Sequence, residues 1–198
     1  EGPRGTATGI DRPKKPPRRR DARRVESPTG PNARARGLPL PGSAGLVSRA
    51  MNRIAQLLPQ SNVAVGVDAA NKRDLFASVA GLFEANGGVA RGTVVDALSA
   101  REKLGSTGLG QGIAIPHGRI KGLKDARGAF LRLAQPIPFD APDGRPVNQV
   151  FVLLVPEHAT EQHLQILSEL AQMFSDRELR ERLSHETDAS SLHQTITA

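Results

Sequence analysis

The sequence contains no cysteine, tryptophan or tyrosine, and its aromatic residues are six phenylalanines. Without cysteine the chain has no disulfide framework, no thiol nucleophile and no cysteine-based metal site. The scarcity of aromatic side chains argues against the base-stacking platforms that bind single-stranded nucleic acid. No stretch approaches the roughly 18 to 20 apolar residues that cross a bilayer. We therefore expect a soluble, cytoplasmic domain.

The formal charge of +7 is confined to the amino-terminal segment. Residues 1–45 hold 11 of the 27 Lys and Arg but only 4 of the 20 Asp and Glu, whereas residues 46–198 hold 16 of each sign. The same segment holds 8 of the 15 prolines and shows no helical or strand periodicity, so we predict a disordered tail over residues 1–45. The remainder is electrically balanced and has no net positive field to attract nucleic acid.

The tail contains a basic cluster from Lys14 to Arg24. This cluster is the one candidate for binding a polyanion such as nucleic acid, and a solvated tail without a partner is the alternative. No apolar stretch of roughly 7 to 15 residues follows it, so it does not resemble a secretory signal. Met51 opens the first well-patterned segment and predicts a native start there.

Apolar periodicity downstream predicts helices before and after a group of strands. The predicted helices cover residues 44–58, 68–85, 92–104, 160–174, 177–183 and 189–196, with Asp68 as the N-cap of the second. The predicted strands cover residues 62–67, 113–115, 128–133 and 149–155, and the last is apolar enough to be covered on both faces. We therefore expect one α/β domain over residues 46–198, with a central mixed sheet between helical layers.

His117 follows the apolar strand 113–115 in a Pro-His-Gly sequence, just after the glycine-rich run 104–110. Imidazole is neutral, nucleophilic and protonatable near neutral pH, with an unperturbed pKa of about 6.5. A turn at the end of a strand presents a side chain at the edge of a sheet, where another molecule can reach it. We therefore predict that His117 accepts a chemical group from another molecule.

Four further residues are expected to converge on His117. Arg101 ends the helix before the glycine-rich run, and its planar guanidinium can hold phosphate oxygens bidentately. His163 lies in the first turn of the helix that follows the most buried strand, where α/β sites usually lie. Ser106 and Thr107 add hydroxyls to a loop whose backbone amides can form an anion nest. Together these groups favour phosphoryl transfer.

Simpler explanations exist for each of these candidates. His163 is also placed to cap its helix, Arg101 to be a surface charge, and Ser106 and Thr107 to satisfy loop backbone groups. A zinc site with His158 is disfavoured, because a spacing of five residues does not place it on one helical face with His163. No nucleotide-binding loop is present, so the phosphoryl group must come from another protein. We expect neither a metal nor a cofactor.

The segment from Arg101 to Arg119 resembles the active-site segment of the fructose/mannitol-type enzyme IIA domains of the phosphoenolpyruvate-dependent phosphotransferase system, above all the nitrogen-regulatory branch. Similarity extends from Met51 to Ala198, and the tail has no counterpart. The resemblance implies a mixed sheet of about five strands and phosphorylation of His117 at Nε2 by an HPr-like phosphohistidine protein. It also implies that His163 hydrogen-bonds the phosphoryl group and that Arg101 binds its oxygens.

Three functions follow as hypotheses. The preferred one is a phosphotransferase component with a phosphohistidine intermediate, whose phosphorylation state is read by regulatory protein partners. The second is a sugar-specific enzyme IIA that passes phosphate to a fructose/mannitol-type IIB component, and the third is a polyanion-binding protein that acts through its tail. For the first two, we expect a backbone acceptor to fix one ring nitrogen of His117. An apolar rim that includes Leu109 and Ile120 is expected to dock the donor.

Overall fold

The computed structural model describes residues 53–158 and 161–198. In this part, one sheet contains β1 (Val63–Val67), β2 (Gly108–Gly110), β3 (Ile113–Ala114), β4 (His117–Ile120), β5 (Arg127–Ile137) and β6 (Val147–Pro156). The main helices are α1 (Lys72–Gly87), α2 (Arg91–Glu102), α3 (Glu161–Ser175), α4 (Arg177–His185) and α5 (Ala189–Thr197). Residues 53–57 are also helical, and the rest of the predicted helix 44–58 before them lies outside the described residues. No helix in these two ranges is long and apolar enough to cross a membrane.

The sheet is mixed, with the strand order β1-β5-β6-β3-β2 and with β4 paired to β6. β5 is antiparallel to β6, and β1 adds to β5 in parallel. β3 and β4 both run parallel to β6, β3 beside its first half and β4 beside its second half. β6 is therefore paired along both edges, as befits the most apolar strand of the chain.

Alternate residues of β6 point to opposite faces of the sheet. Val152 and Leu154 pack in a buried cluster with α1 and α2, whereas Phe151 and Leu153 pack in a second cluster with α3, α4 and α5. Helices thus cover both faces, which confirms the predicted α/β architecture and the expectation that this strand is covered on both sides. The described sheet has six strands rather than about five.

Polar side chains determine where the helices begin. α1 begins after Asn71, whose side chain accepts a hydrogen bond from the amide of Asp74. The prediction that Asp68 caps this helix was therefore wrong, because Asn71 caps it closer to the apolar stripe, and its side-chain amide also donates to the carboxylate of Asp74. α4 and α5 begin after Asp176 and Asp188, each of which accepts bonds from two amides.

The sequence pattern does not predict β2 or β4, because both strands contain glycine and β4 directly follows Pro116. Pairing with neighbours forms them instead. The amide of Leu153 donates to the carbonyl of Pro116 over 3.0 Å, and His117 lies opposite Leu153 in the parallel register. His117 is therefore the first residue of a strand and not, as predicted, part of a turn that follows one.

Candidate functional site

His117 is half-buried at the start of β4, and its ring is held by the backbone. Its Nδ1 lies 2.9 Å from the carbonyl oxygen of Ile115. A carbonyl can only accept a hydrogen bond, so Nδ1 carries the proton and Nε2 keeps its lone pair. This geometry confirms the expectation that a backbone acceptor fixes one ring nitrogen.

Arg101 lies in the last turn of α2 and contacts the other ring nitrogen. Its Nε donates to Nε2 of His117 over 3.0 Å, and its Nη1 donates to the carbonyl of Gly105 over 2.9 Å. A guanidinium has no acceptor, so this contact independently assigns the lone pair to Nε2. Arg101 thereby links the histidine to the glycine-rich loop.

A cavity of about 430 Å³ brings three of the predicted residues together. Arg101, His117 and His163 line it, with Leu104 and Arg119 among their neighbours. His163 lies in the first turn of α3 and is 8% exposed. Its buried Nδ1 has no hydrogen-bond partner among the described residues. The cavity is therefore lined by two imidazoles and a guanidinium.

The surroundings of His117 favour its neutral form. Burial lowers the pKa of the imidazole below its ordinary value, and the neighbouring Arg101 and His163 lower it further. The hydrogen bond to the Ile115 carbonyl and the carboxylate of Glu102 act in the opposite direction but do not reverse the shift. Nε2 is therefore unprotonated at neutral pH.

Ser106 and Thr107 do not line the cavity. The Ser106 hydroxyl donates to the carbonyl of Phe139 over 2.5 Å and accepts from the amide of Gly108 over 3.1 Å. The Thr107 hydroxyl donates to the carboxylate of Glu102 over 2.6 Å. The structure does not bring these two hydroxyls to His117. Both instead form hydrogen bonds that shape the loop beside Arg101.

Glu102 is a supporting residue that the sequence analysis did not single out. Its side chain is 7% exposed and also accepts from the Thr107 amide, at 3.1 Å. Lys72 forms ion pairs of 2.8 Å with both Glu102 and Asp140. Because Glu102 adjoins Arg101 in α2, this network anchors the loop next to the guanidinium. In the sequence, the only indication of this role is that Glu102 directly follows Arg101.

Three leucines with large exposed fractions lie outside the core: Leu104 at 85%, Leu164 at 62% and Leu109 at 43%. Leu104 lines the cavity, and Leu164 directly follows His163 in α3. Ile120 is 3% exposed, so the prediction that it belongs to an apolar rim was wrong. Its side chain packs in the core against α1 and α2, because alternation along β4 turns it inward.

Residues 56–198 match the profile of the family described as "Phosphoenolpyruvate-dependent sugar phosphotransferase system, EIIA 2". The chain belongs to this EIIA 2 family. The matched range contains all six strands of the described sheet and the cavity residues Arg101, His117 and His163. The resemblance drawn from the sequence is thereby confirmed.

Two nitrogen regulatory proteins are similar to this EIIA 2 chain over most of its length. The "Nitrogen regulatory protein" of Pseudomonas aeruginosa is 41% identical over 153 residues, which cover 74% of the chain and 96% of the relative. The crystal structure of nitrogen regulatory protein IIA-Ntr from Neisseria meningitidis matches with a TM-score of 0.69 and 46% identity, covering 73% of the chain and 99% of that structure.

A relative with a sugar-related name matches a shorter stretch. The "PTS system fructose-specific EIIA component" of Haloferax volcanii is 42% identical over 93 residues, which cover 47% of the chain and 60% of the relative. The chain is thus a phosphotransferase-system IIA-type protein that is similar to nitrogen regulatory proteins.

Proposed function

We propose that this EIIA 2 protein is a phosphocarrier that accepts a phosphoryl group on Nε2 of His117 from an HPr-like phosphohistidine protein. Regulatory protein partners then respond to its phosphorylation state. The observation that carries the proposal is the ring assignment of His117, whose Nε2 lone pair lies in a cavity shared with Arg101 and His163. Similarity to nitrogen regulatory proteins supports the regulatory part.

The transfer exchanges one N–P bond for another. The bond from phosphorus to the donor imidazole breaks as the bond to Nε2 of His117 forms, and the donor ring recovers its lone pair. No proton leaves Nδ1, which stays hydrogen-bonded to the Ile115 carbonyl. Arg101 must release Nε2 and turn its guanidinium to the phosphoryl oxygens, while the His163 ring donates a hydrogen bond to one of them.

The apolar surface beside the cavity suits the approach of a donor protein. Leu104 lines the cavity and Leu164 adjoins His163, and both side chains are largely exposed. Direct transfer requires two imidazoles to approach one phosphorus in line, which demands close contact between the two proteins. Apolar side chains at this position stabilise such contact by leaving water.

Phosphorylation with purified components tests the proposal. Incubation with phosphoenolpyruvate, enzyme I and an HPr-type carrier is expected to add the mass of one phosphoryl group in an acid-labile form. His117→Ala is expected to gain no adduct, whereas the matched control His185→Ala, which replaces an exposed histidine of α4, is expected to react like wild type. A His117→Ala protein that is phosphorylated to the wild-type extent contradicts the proposal.

The fructose-specific relative favours a second candidate, a sugar-specific enzyme IIA that passes its phosphoryl group to a fructose/mannitol-type IIB component. The chemistry at His117 is the same in both cases, so the distinction lies downstream. The phosphorylated protein is mixed with a fructose-type IIB domain and the mass of each is followed. Transfer to that domain supports sugar transport. Retention of phosphate, with phosphorylation-dependent capture of a partner from the cell of origin, supports regulation.

The polyanion hypothesis and the predicted disordered tail both concern residues 1–45, which lie outside the described residues. It stays a prediction. Salt-dependent nucleic-acid binding by the full chain that is lost from a chain starting at Met51 supports it, and equal binding by both chains contradicts it.

A further inference from the structure

A second cavity, of about 490 Å³, lies near the opposite end of β6 from His117. We call it the arginine cleft, and its lining includes Gln111, Arg145, Gln149, Arg177, Arg180 and Glu181. Gln149 precedes Leu153, the residue paired with His117, by four positions of β6, which is roughly 13 Å along a strand. The proposed phosphocarrier chemistry makes no use of this cleft.

Gln149 carries an acceptor that the described fold leaves unsatisfied. The residue is 5% exposed, and its Nε2 donates to the carbonyl of Arg180 over 3.3 Å. This bond orients the amide, since the reversed orientation sets two oxygens against each other. Oε1 is then buried with no hydrogen-bond donor among the described residues. Buried acceptors without a donor are rare in native folds, and Gln149 lines the cleft, so this oxygen is the acceptor that a ligand in the cleft would satisfy.

The guanidinium groups give the cleft a positive character. Glu181 pairs with Nε of Arg177 at 2.7 Å, and Nη1 of Arg180 donates to the carbonyl of Phe174 over 2.6 Å. The side chain of Arg145 has no hydrogen-bond or ion-pair partner among the described residues. Three arginines against the two carboxylates of Glu181 and Asp143 leave a net positive charge, in the planar geometry that matches carboxylate and phosphate oxygens.

Asp143 holds one wall of the cleft in shape. Its Oδ2 accepts from the amide of Gln111 over 2.7 Å, and its Oδ1 accepts from the amide of Arg145 over 3.2 Å. Gln111 adopts a φ of 56°, a left-handed conformation that costs free energy for a residue other than glycine. The hydrogen bond that Asp143 accepts from Gln111 stabilises this turn. Gln111 and the backbone of Arg145 are therefore positioned before any ligand arrives.

From these observations we infer that the arginine cleft binds a small molecule that carries a carboxylate or phosphate group together with a hydroxyl or amino donor. Arg145 and Arg180 bind the oxyanion, and Oε1 of Gln149 accepts from the donor. This binding function goes beyond the phosphocarrier role. Phosphorylation of His117 does not depend on it, so each proposal can fail without the other.

Nuclear magnetic resonance of the full chain tests the inference, with three probes added separately. Glycerol 3-phosphate and glycerate each combine an oxyanion with hydroxyl donors, and they distinguish a phosphate ligand from a carboxylate ligand. Inorganic phosphate is the simpler anion. At least one of the two hydroxyl-bearing probes is expected to shift the amide signals of Gln111 and Gln149 in a saturable way, and to bind more tightly than inorganic phosphate.

Variants assign the binding to the cleft. Arg145→Gln, at an exposed position, is expected to weaken binding about tenfold, as the loss of one hydrogen bond to a charged group predicts. Arg73→Gln removes the same charge from an exposed position of α1 and is the matched control, expected to bind like wild type. Gln149→Leu removes the buried acceptor and is expected to abolish the preference for the hydroxyl-bearing probes over inorganic phosphate.

Three results overturn the inference: no saturable shift with any probe, equal weakening by Arg145→Gln and Arg73→Gln, or inorganic phosphate binding as tightly as both other probes. Should Gln149→Leu fail to fold, Arg145→Gln and the comparison of probes on wild-type protein still decide the question.

Discussion

The Nε of Arg101 donates to Nε2 of His117 over 3.0 Å. The guanidinium therefore occupies the lone pair that, in the proposed function, attacks phosphorus. Acceptance of a phosphoryl group requires this bond to break, and the freed guanidinium then has oxyanions to bind. Arg101 thus has two successive partners, the neutral ring before transfer and the phosphoryl oxygens after it.

Replacement of Arg101 by lysine is expected to slow phosphoryl transfer to His117 by roughly 10- to 100-fold. Lysine keeps the charge but lacks the planar fork that binds two phosphate oxygens, and one hydrogen bond to a charged group is worth about 1.5 to 3 kcal/mol. The rate is measured by quenched-flow phosphorylation with an HPr-type donor. Lys103→Ala removes an exposed cation two residues away and serves as the control. Equal rates for Arg101→Lys and wild type contradict the assigned role.

His117 is expected to titrate below the ordinary histidine pKa of 6.5, because its burial disfavours the charged ring. Both folded and unfolded chains carry the neutral ring well above that value. As the pH falls below it, the unfolded chain binds the proton first, so stability is lost until the pH passes the lowered folded pKa. The ring-proton chemical shift of His117 against pH measures the midpoint.

The lowered pKa of His117 also predicts how the stability of a variant depends on pH. His117→Gln removes the titrating ring, so its free energy of unfolding is expected to fall less than that of wild type between about pH 7 and about pH 5. Urea unfolding at several pH values provides the measurement. Parallel pH profiles for the two proteins, or a titration midpoint at or above 6.5, contradict the prediction.

Glu102→Gln is expected to lower the free energy of unfolding by about 2 kcal/mol, because it removes the buried charge that pairs with Lys72. It is also expected to loosen the loop at Thr107 and slow phosphorylation. Urea denaturation and hydrogen exchange of the Thr107 amide measure the two effects. Glu84→Gln breaks the exposed ion pair with Arg91 and is expected to cost no more than about 0.5 kcal/mol. Equal effects of the two variants refute a special role for Glu102.

Gly118→Ala is expected to disturb the contact between β4 and α2, and with it the bond from Arg101 to His117. A Cβ at this position lies 3.0 Å from Cβ of Ala97 and 3.2 Å from its backbone carbonyl carbon, so the helix must move away. We expect a loss of about 1 to 3 kcal/mol of stability and slower phosphorylation.

The control for Gly118→Ala is Gly92→Ala, in α2, the helix that Gly118 contacts. A Cβ at Gly92 has nothing within 4 Å, so Gly92→Ala is expected to stabilise the protein by about 0.5 to 1 kcal/mol. Thermal unfolding and phosphorylation rates of both variants provide the comparison. A Gly118→Ala protein as stable and active as wild type shows that the helix can move without cost.

Apolar periodicity predicted most of the elements, because helices and strands bury residues at different regular spacings. The strand 149–155 appears within β6 (Val147–Pro156), and the helix 177–183 within α4 (Arg177–His185). The periodicity did not predict β4, because a strand of four residues that includes a glycine is too short to show a regular apolar pattern. Its conformation comes from pairing with Leu153 and its neighbours, which are distant in the chain.

The residues predicted for the candidate site likewise include some that the structure brings together and some that it does not. Arg101, His117 and His163 were predicted from their chemistry and from resemblance to a family, and one cavity brings them together. Ser106 and Thr107 shared the same segment, yet their hydroxyls turn to Phe139 and Glu102. Sequence distance alone cannot tell which side of a loop a hydroxyl faces, because that depends on what packs against the loop.

By itself the sequence determined the α/β class, the most buried strand and the identity of the candidate nucleophile, since these follow from local spacing and side-chain chemistry. Only the tertiary structure decided the proton position on His117, the anchoring of the loop by Lys72 and Glu102, and the unpartnered Oε1 of Gln149. Each of these depends on atoms brought within hydrogen-bond distance by folding, and such short-range contacts leave no periodic trace in the chain.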